Sequence, residues 1–409
     1  MTIKTFPSSS VDILRIDCVF PAGTSLQPYP LVAHACNSLL CEGTLRRTAI
    51  QVAEFLDFRG IALETDCSPY HASLTFYVLR KYADDFLPLL HEMLTQPAFS
   101  QEEFRVYCEK RRQQLLEGRQ KTAVVARNQF YLSLFGPNHP LGVFAVPDDV
   151  DRLSLDDVRQ FYRRHYNLAS ARFYLAGHYD EAFLSRFQSL LCPNTLIPNP
   201  PYLIPKHSPL SSNLSSLSSN LSSLSSNYPL NGAVQSTIRI GRLLPFHPCD
   251  PDYHRFMVLN TVLGGYFGSR LMSNLREDKG YTYGIYSRTI IFGSDILFTL
   301  SADVAAPCTE AALHEVFFEL DRLCREPIPD DELDTVRQYM EGDYLRSIDG
   351  IFERVERHLS LELNGVGEEF TNLFLSAIRT STPAQLQSLA QRLFRPDQLL
   401  TVTSGPAPQ

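Results

Sequence analysis

No run of the 409 residues reaches the roughly 18 consecutive apolar positions that a membrane-spanning helix needs, so no membrane span is expected. No Cys-x-x-Cys occurs. The nine cysteines (Cys18, Cys36, Cys41, Cys67, Cys108, Cys192, Cys249, Cys308 and Cys324) follow no pattern, which points to reduced thiols rather than a disulfide framework. Positive charge is in deficit: 37 Lys and Arg face 45 Asp and Glu, a net charge of −8, which argues against nucleic acid as the main partner. The opening Met-Thr-Ile-Lys-Thr-Phe-Pro-Ser-Ser-Ser has no apolar signal core, so a cytoplasmic setting is expected. What is present is ordinary for a globular protein: 44% hydrophobic and 20% charged residues, in a chain long enough for two or three domains.

The most telling stretch is Leu-Val-Ala-His34-Ala-Cys36-Asn37-Ser38-Leu-Leu-Cys41-Glu42-Gly43-Thr44. Its apolar positions predict a buried helix over 31–44 that stops at Gly43. His34 and Ser38 are four apart and share a helix face, with Asn37 beside them. That frame suits two metal ligands and a general base, but the residues do not. Asn37 cannot take up a proton at neutral pH, and Ser38 is a poor metal ligand. A substitute zinc site from His34, Cys36 and Cys41 would need Cys36 to reach round from another helix face.

Along the chain, Val11–Phe20 reads as a strand, Thr48–Phe58 as a helix, and Ile61–Thr65 with Ala72–Leu79 as paired strands. Helices follow over Tyr82–Leu94, from a capping box at Ser100 to about Gly118, over Ala123–Phe135 and from Ser154 to Tyr166; a strand Arg172–Ala176 closes the half. Proline and then Asn-Leu-Ser-Ser-Leu-Ser-Ser repeats take over, and 193–232 reads as a flexible linker. A strand Ala233–Ile240 and a helix Tyr253–Leu263 reopen the pattern. Asn37-Ser-Leu-Leu is echoed by Asn260-Thr-Val-Leu, Pro97 to Ser100 by Pro327 to Asp330, and the run into Gly177 by the run into Gly405. Echoes in one order indicate two copies of one α/β unit. The expected fold is α+β, with homologous domains over 1–192 and 233–409, each an antiparallel-rich sheet covered by helices.

The second half contains Gly-Gly-Tyr-Phe-Gly-Ser, then Leu-Arg276-Glu, then Gly-Tyr-Thr-Tyr283. Strand alternation puts Tyr281 and Tyr283 on one face and Tyr286 on the other. Standing alone, Arg276 would be read as paired with a nearby acid and Tyr283 as packed on the sheet.

Taken together, His34 with its Gly-Thr helix end and the Arg276/Tyr283 signature resemble the insulinase-like M16 zinc peptidases, of the M16B type. In that family His-x-x-Glu-His and a later Glu hold zinc and supply the base. Matched position by position, His34 keeps the first ligand, Asn37 replaces the base, Ser38 replaces the second ligand, and the third falls near Gln114. The resemblance implies that Arg276 and Tyr283 bind the substrate backbone and stabilise the tetrahedral intermediate, as a fixed guanidinium and phenol can. It implies a zinc-free subunit, inactive alone, holding no metal itself. Its expected partners are a zinc-bearing M16 subunit, in a heterodimer or higher assembly, and a peptide substrate. The alternatives are a non-catalytic scaffold or peptide-binding subunit, like the core proteins of the respiratory bc1 complex, and an autonomous zinc enzyme with unconventional ligands.

Overall fold

The computed structural model describes residues 2–191 and 225–407. It divides into two compact units, which are not contiguous in sequence. Residues 117–142, from the first half of the chain, pack with the second unit, and residues 349–356 pack with the first.

In the first unit five strands, β1 (Thr2–Pro7), β2 (Ile13–Phe20), β3 (Ala62–Cys67), β4 (Ala72–Leu79) and β5 (Arg172–Gly177), form a sheet of order β1-β5-β2-β4-β3. In the second, β6 (Ser225–Pro229), β7 (Gln235–Leu244), β8 (Thr282–Phe292), β9 (Asp295–Ala305) and β10 (Leu400–Gly405) take the order β6-β10-β7-β9-β8. The two orders are the same under a shift of five. So are the directions: β1/β5 and β6/β10 are parallel, and every other pair is antiparallel. The duplication heard in the sequence echoes is therefore a duplication of topology.

The paired glycines at the ends of β5 and β10 have a physical role. Gly177 has φ +112°, and a Cβ there would lie 2.0 Å from the Ile13 carbonyl oxygen. A Cβ at Gly405 would lie 2.1 Å from Ser236 Oγ. Neither strand end could carry a side chain and stay this close to its neighbour.

One face of each sheet is apolar and covered by helices. In the first unit, Leu14, Ile16, Cys18 and Phe20 of β2 and Leu74, Phe76 and Val78 of β4 pack with Val32, Ala35, Cys36 and Leu39 of the helix Val32–Leu39. In the second, Ile238, Ile240, Phe298 and Leu300 pack with Phe256 and Leu259 of the helix Pro251–Asn260. The second sheet is also partly covered on its other face. There Ala126, Phe130 and Phe135 of the helix Thr122–Phe135 meet Leu243, Leu297, Leu400 and Val402.

Most expected elements are present, with differences at their ends. The helix read over 31–44 spans only Val32–Leu39, and Leu40 to Gly43 form its turn. The linker read over 193–232 is corrected at its end: Ser225–Pro229 is strand β6, hydrogen-bonded in parallel to β10. A serine-rich strand is held there by backbone pairing, which composition does not report. The rest of that linker, 193–224, lies outside the described residues. The cysteines described are free thiols. Among the described residues no helix is long and apolar enough to cross a membrane.

His254, on the helix Pro251–Asn260, is fully buried, with its ring edge-on to Phe370 at 4.7 Å. Burial pulls its pKa from the ordinary 6.5 down to about 4. The unfolded chain therefore binds the extra proton first, and stability falls as pH drops from 6.5 towards 4. Urea unfolding at pH 7 and pH 5 is expected to show about 2 kcal/mol lost through this group. His254→Leu should lack that share of the loss; an unchanged pH slope in the variant would refute the assignment.

Candidate functional site

The helix Val32–Leu39 presents two kinds of side chain. His34 and Ser38 face a cleft of about 210 Å³ that is also lined by Glu42, Glu103, Tyr107, Lys110, Arg111 and Gln114. His34 Nδ1 and the Tyr107 hydroxyl share a hydrogen bond of 3.0 Å, and Ser38 Oγ lies 3.4 Å from the same nitrogen. Burial first, and then the positive Arg111, lower the His34 pKa to about 4, so the imidazole is neutral at physiological pH. Gln114, on the helix Gln101–Gly118, accepts a hydrogen bond from Arg111 Nη1 at 3.2 Å. The structure thus brings His34, Ser38 and Gln114 to one cleft.

Asn37 does not join them. Its side chain is 2% exposed and turns to the sheet. Nδ2 donates to the Asp66 carbonyl at 2.8 Å and to the Ser73 carbonyl at 3.2 Å, and Oδ1 accepts from the Tyr166 hydroxyl at 3.1 Å. Asn260 does the same in the second unit, donating to the Ser287 carbonyl at 3.2 Å. The Gly43-Thr44 helix end is also structural. The Thr44 hydroxyl accepts from the Arg46 and Arg47 amides and donates to buried Glu92, which pairs with Arg47 at 2.7 Å.

Arg276 lies in a π-helical segment, Met272–Asp278, a widened turn often found where side chains must be aimed. Its guanidinium sits 4.3 Å over the Phe267 ring of the glycine-rich loop, and among the described residues it has no ion pair. The segment closes through Tyr281 N donating to the Leu275 carbonyl. Gly280 between them is at φ +66°, where a side chain would be strained. That cap carries the chain from the Arg276 turn into β8, which fixes the spacing to Tyr283.

Tyr283 is 95% exposed. The register of β8 against β9 shifts between Thr282 and Ile285, a β-bulge that places Tyr283 and Gly284 outside the ladder. The bulge adds a residue and resets the alternation. As a result Tyr283 and Tyr286, expected on opposite faces, line the same open cleft. The reading of Tyr283 as a residue packed on the sheet is overturned by the same exposure. Arg276 does not line that cleft. His139, outside both clefts, stacks on Phe135 at 5.0 Å.

Two family descriptions match the chain: "Insulinase (Peptidase family M16)" over residues 29–136 and "Peptidase M16 inactive domain" over residues 152–340. The chain belongs to the M16 peptidase family. Among M16 relatives, a Helicobacter pylori protein named "Non-peptidase homolog YmxG" is 24% identical over 256 residues, which is 61% of this chain and 56% of that protein. The chain thus spans little over half the length of that relative. The Bacillus subtilis "Uncharacterized zinc protease YmxG" is 20% identical over 378 residues, 91% of this chain and 88% of that one. A solved M16 inactive domain from Pseudomonas fluorescens superposes with a TM-score of 0.81 at 18% identity, over 99% of this chain and 96% of that one. A solved Helicobacter pylori protease gives 0.80 at 17%, over 99% and 96%. At these identities the superpositions establish the M16 two-domain fold alone.

M16 membership raises the question of zinc, and the donor set does not fit it. Ser38 and Gln114 offer neutral oxygens, and Arg111 and Lys110 stand beside them. Cys36 and Cys41 are buried in the core, and burial raises both thiols, so neither is a ready thiolate. Among the described residues no three His, Cys, Asp or Glu side chains gather closely enough to hold a metal ion. Asn37, where the resemblance expects the base, is committed to the fold in a testable way. Asn37→Asp keeps the shape but replaces the amide donor with an acceptor facing two carbonyls. We expect thermal unfolding to report about 1–3 kcal/mol of lost stability, with the fold retained; an unchanged melting temperature would contradict the pinning role.

Proposed function

We propose that this chain is the zinc-free half of a two-chain M16-type peptidase, supplying Arg276 and Tyr283 to chemistry on a zinc-bearing partner. The observation that carries the reading is Tyr283, a phenol 95% exposed on a strand bulge and without a hydrogen-bond partner among the described residues. Exposing an aromatic side chain this fully gains the fold nothing, and a bulge is a common way to re-aim a side chain. Arg276 is held on Phe267 with its hydrogen-bonding edge uncommitted to any carboxylate. A guanidinium and a phenol are suited to gripping a peptide carbonyl and to stabilising the oxyanion that forms from it. The base and second-ligand positions cannot run the reaction alone, so zinc and its base are assigned to the partner. A cytoplasmic setting belongs to the same reading, and the thiols, free where described, are consistent with it.

A second reading, a peptide-binding scaffold without catalysis, is favoured by the name of the Helicobacter pylori relative, "Non-peptidase homolog YmxG". Mixing separates the two. The purified chain with an M16 subunit carrying His-x-x-Glu-His should cleave peptides that neither cleaves alone. Tyr283→Phe and Arg276→Ala should each lower kcat by about a hundredfold or more while the two chains still co-elute on gel filtration. Cleavage indifferent to both substitutions would defeat the proposal, and binding without cleavage in every mixture would favour the scaffold.

A further inference from the structure

The face of the second sheet that carries Tyr283 gathers positive charge. Its cleft, about 720 Å³, is lined by Gln235 and Arg239 of β7, Tyr283, Tyr286 and Arg288 of β8, and Ser301 and Asp303 of β9. Arg127, on the helix covering the same face, completes a trio: Arg239, Arg288 and Arg127 all act electrostatically on the half-buried Tyr131 phenol. Among the described residues none of the three guanidinia forms an ion pair, in a chain whose acids outnumber its bases 45 to 37. Asp303 is the sole acid among the lining residues; one of its oxygens accepts from the Thr237 hydroxyl, and its charge offsets part of that on Arg239. Arg239 Nε is buried without a hydrogen-bond partner, a cost that folded proteins rarely leave unanswered. Burial first, and then Arg127 and Arg288, work against the Arg239 charge, while Tyr131 and Asp303 favour it; an anion arriving here would shift that balance further towards the charged form.

We propose that this cleft binds a carboxylate of a peptide, with Arg239 and Arg288 as its anchors and Arg127 reinforcing them. Two arginine forks match the geometry of carboxylate oxygens. Gln235 and Ser301 offer hydrogen bonds to peptide amides, and Tyr283 and Tyr286 offer flat surfaces for the chain to lie against. The carboxylate comes from an acidic side chain or from a C-terminus. The inference rests on the reading that Tyr283 faces a peptide, and it adds a substrate class: peptides with a negative charge near the bound segment.

Fluorescence anisotropy with the full chain tests this. Labelled peptides of one neutral sequence are compared in three forms: with an internal Glu and an amidated end, with a free C-terminus and no acid, and with neither. The wild-type chain should bind one or both charged forms about ten- to a hundredfold more tightly than the neutral form, and the preference should shrink with salt. Whichever charged form is preferred names the source of the carboxylate. Arg239→Gln/Arg288→Gln should erase the preference, so that charged and neutral forms bind alike, while Arg239→Lys/Arg288→Lys retains part of it. Circular dichroism and thermal unfolding confirm that the variants fold. If charged and neutral peptides bind wild type equally, the inference is wrong and the two-chain reading survives. If the charge preference is present but no zinc-bearing partner yields cleavage, the inference stands and the two-chain reading falls. If no peptide binds in any form, the inference is overturned.

Discussion

An asparagine amide donating to strand carbonyls ties one core helix to the sheet in each unit, Val32–Leu39 in the first and Pro251–Asn260 in the second. Asn37 holds Asp66 and Ser73, and Asn260 holds Ser287. Backbone carbonyls at a buried sheet edge need donors, and a carboxylate cannot supply one. In the first unit this tether occupies the place to which the M16 resemblance assigns the catalytic base. The helix therefore keeps its seat, its turn at Gly43-Thr44 and its neutral His34, while the position that would do chemistry serves packing. The resemblance to an enzyme persists because the frame of the motif is also part of the fold.

The two sheets share one topology but treat their second faces differently. On the first, Arg15 forks onto buried Asp17, which also accepts from Thr75, and Arg15 reaches Glu356 at 2.6 Å. Charge there is neutralised internally, as a buried pair must be. On the second, Arg239 and Arg288 form no ion pair among the described residues, although Asp303 lines the same cleft, and the strand beside them bulges to expose Tyr283. Duplicated architecture has diverged into one face closed by its own ion pairs and one left open with charge to spare.

Much of this was legible in the sequence. Long helices announced themselves by period and caps, and Ser100 does cap its helix, accepting from the Glu103 amide. The echoes between halves were legible because the same helix ends and strand ends recur. Strands β1 and β6 were not. Thr-Ile-Lys-Thr-Phe-Pro and Ser-Ser-Asn-Tyr-Pro lie at a sheet edge and are held by parallel backbone bonds, so neither needs an apolar alternation. The sidedness of Tyr286 was misread because a bulge leaves no mark on a strand's alternation beyond the glycine it contains, here Gly284. The role of Asn37 was legible only as a loss. A missing base is visible in one dimension, but the carbonyls that need its replacement come from strands tens of residues away.

The arginine trio was invisible for the same reason. Arg127, Arg239 and Arg288 belong to three elements, and the net charge of −8 points away from any basic site. Overall charge describes the average field around a molecule, whereas recognition depends on a few charges held where water cannot fully screen them. A protein rich in acids can therefore keep one cleft with a cationic surplus, provided most of its carboxylates are committed elsewhere. Asp17 is bound to Arg15 and Glu332 to Arg270, which leaves Asp303 as the one acid lining the cleft beside two arginines. The distribution of those commitments, more than the surplus of acids, decides what this face can hold.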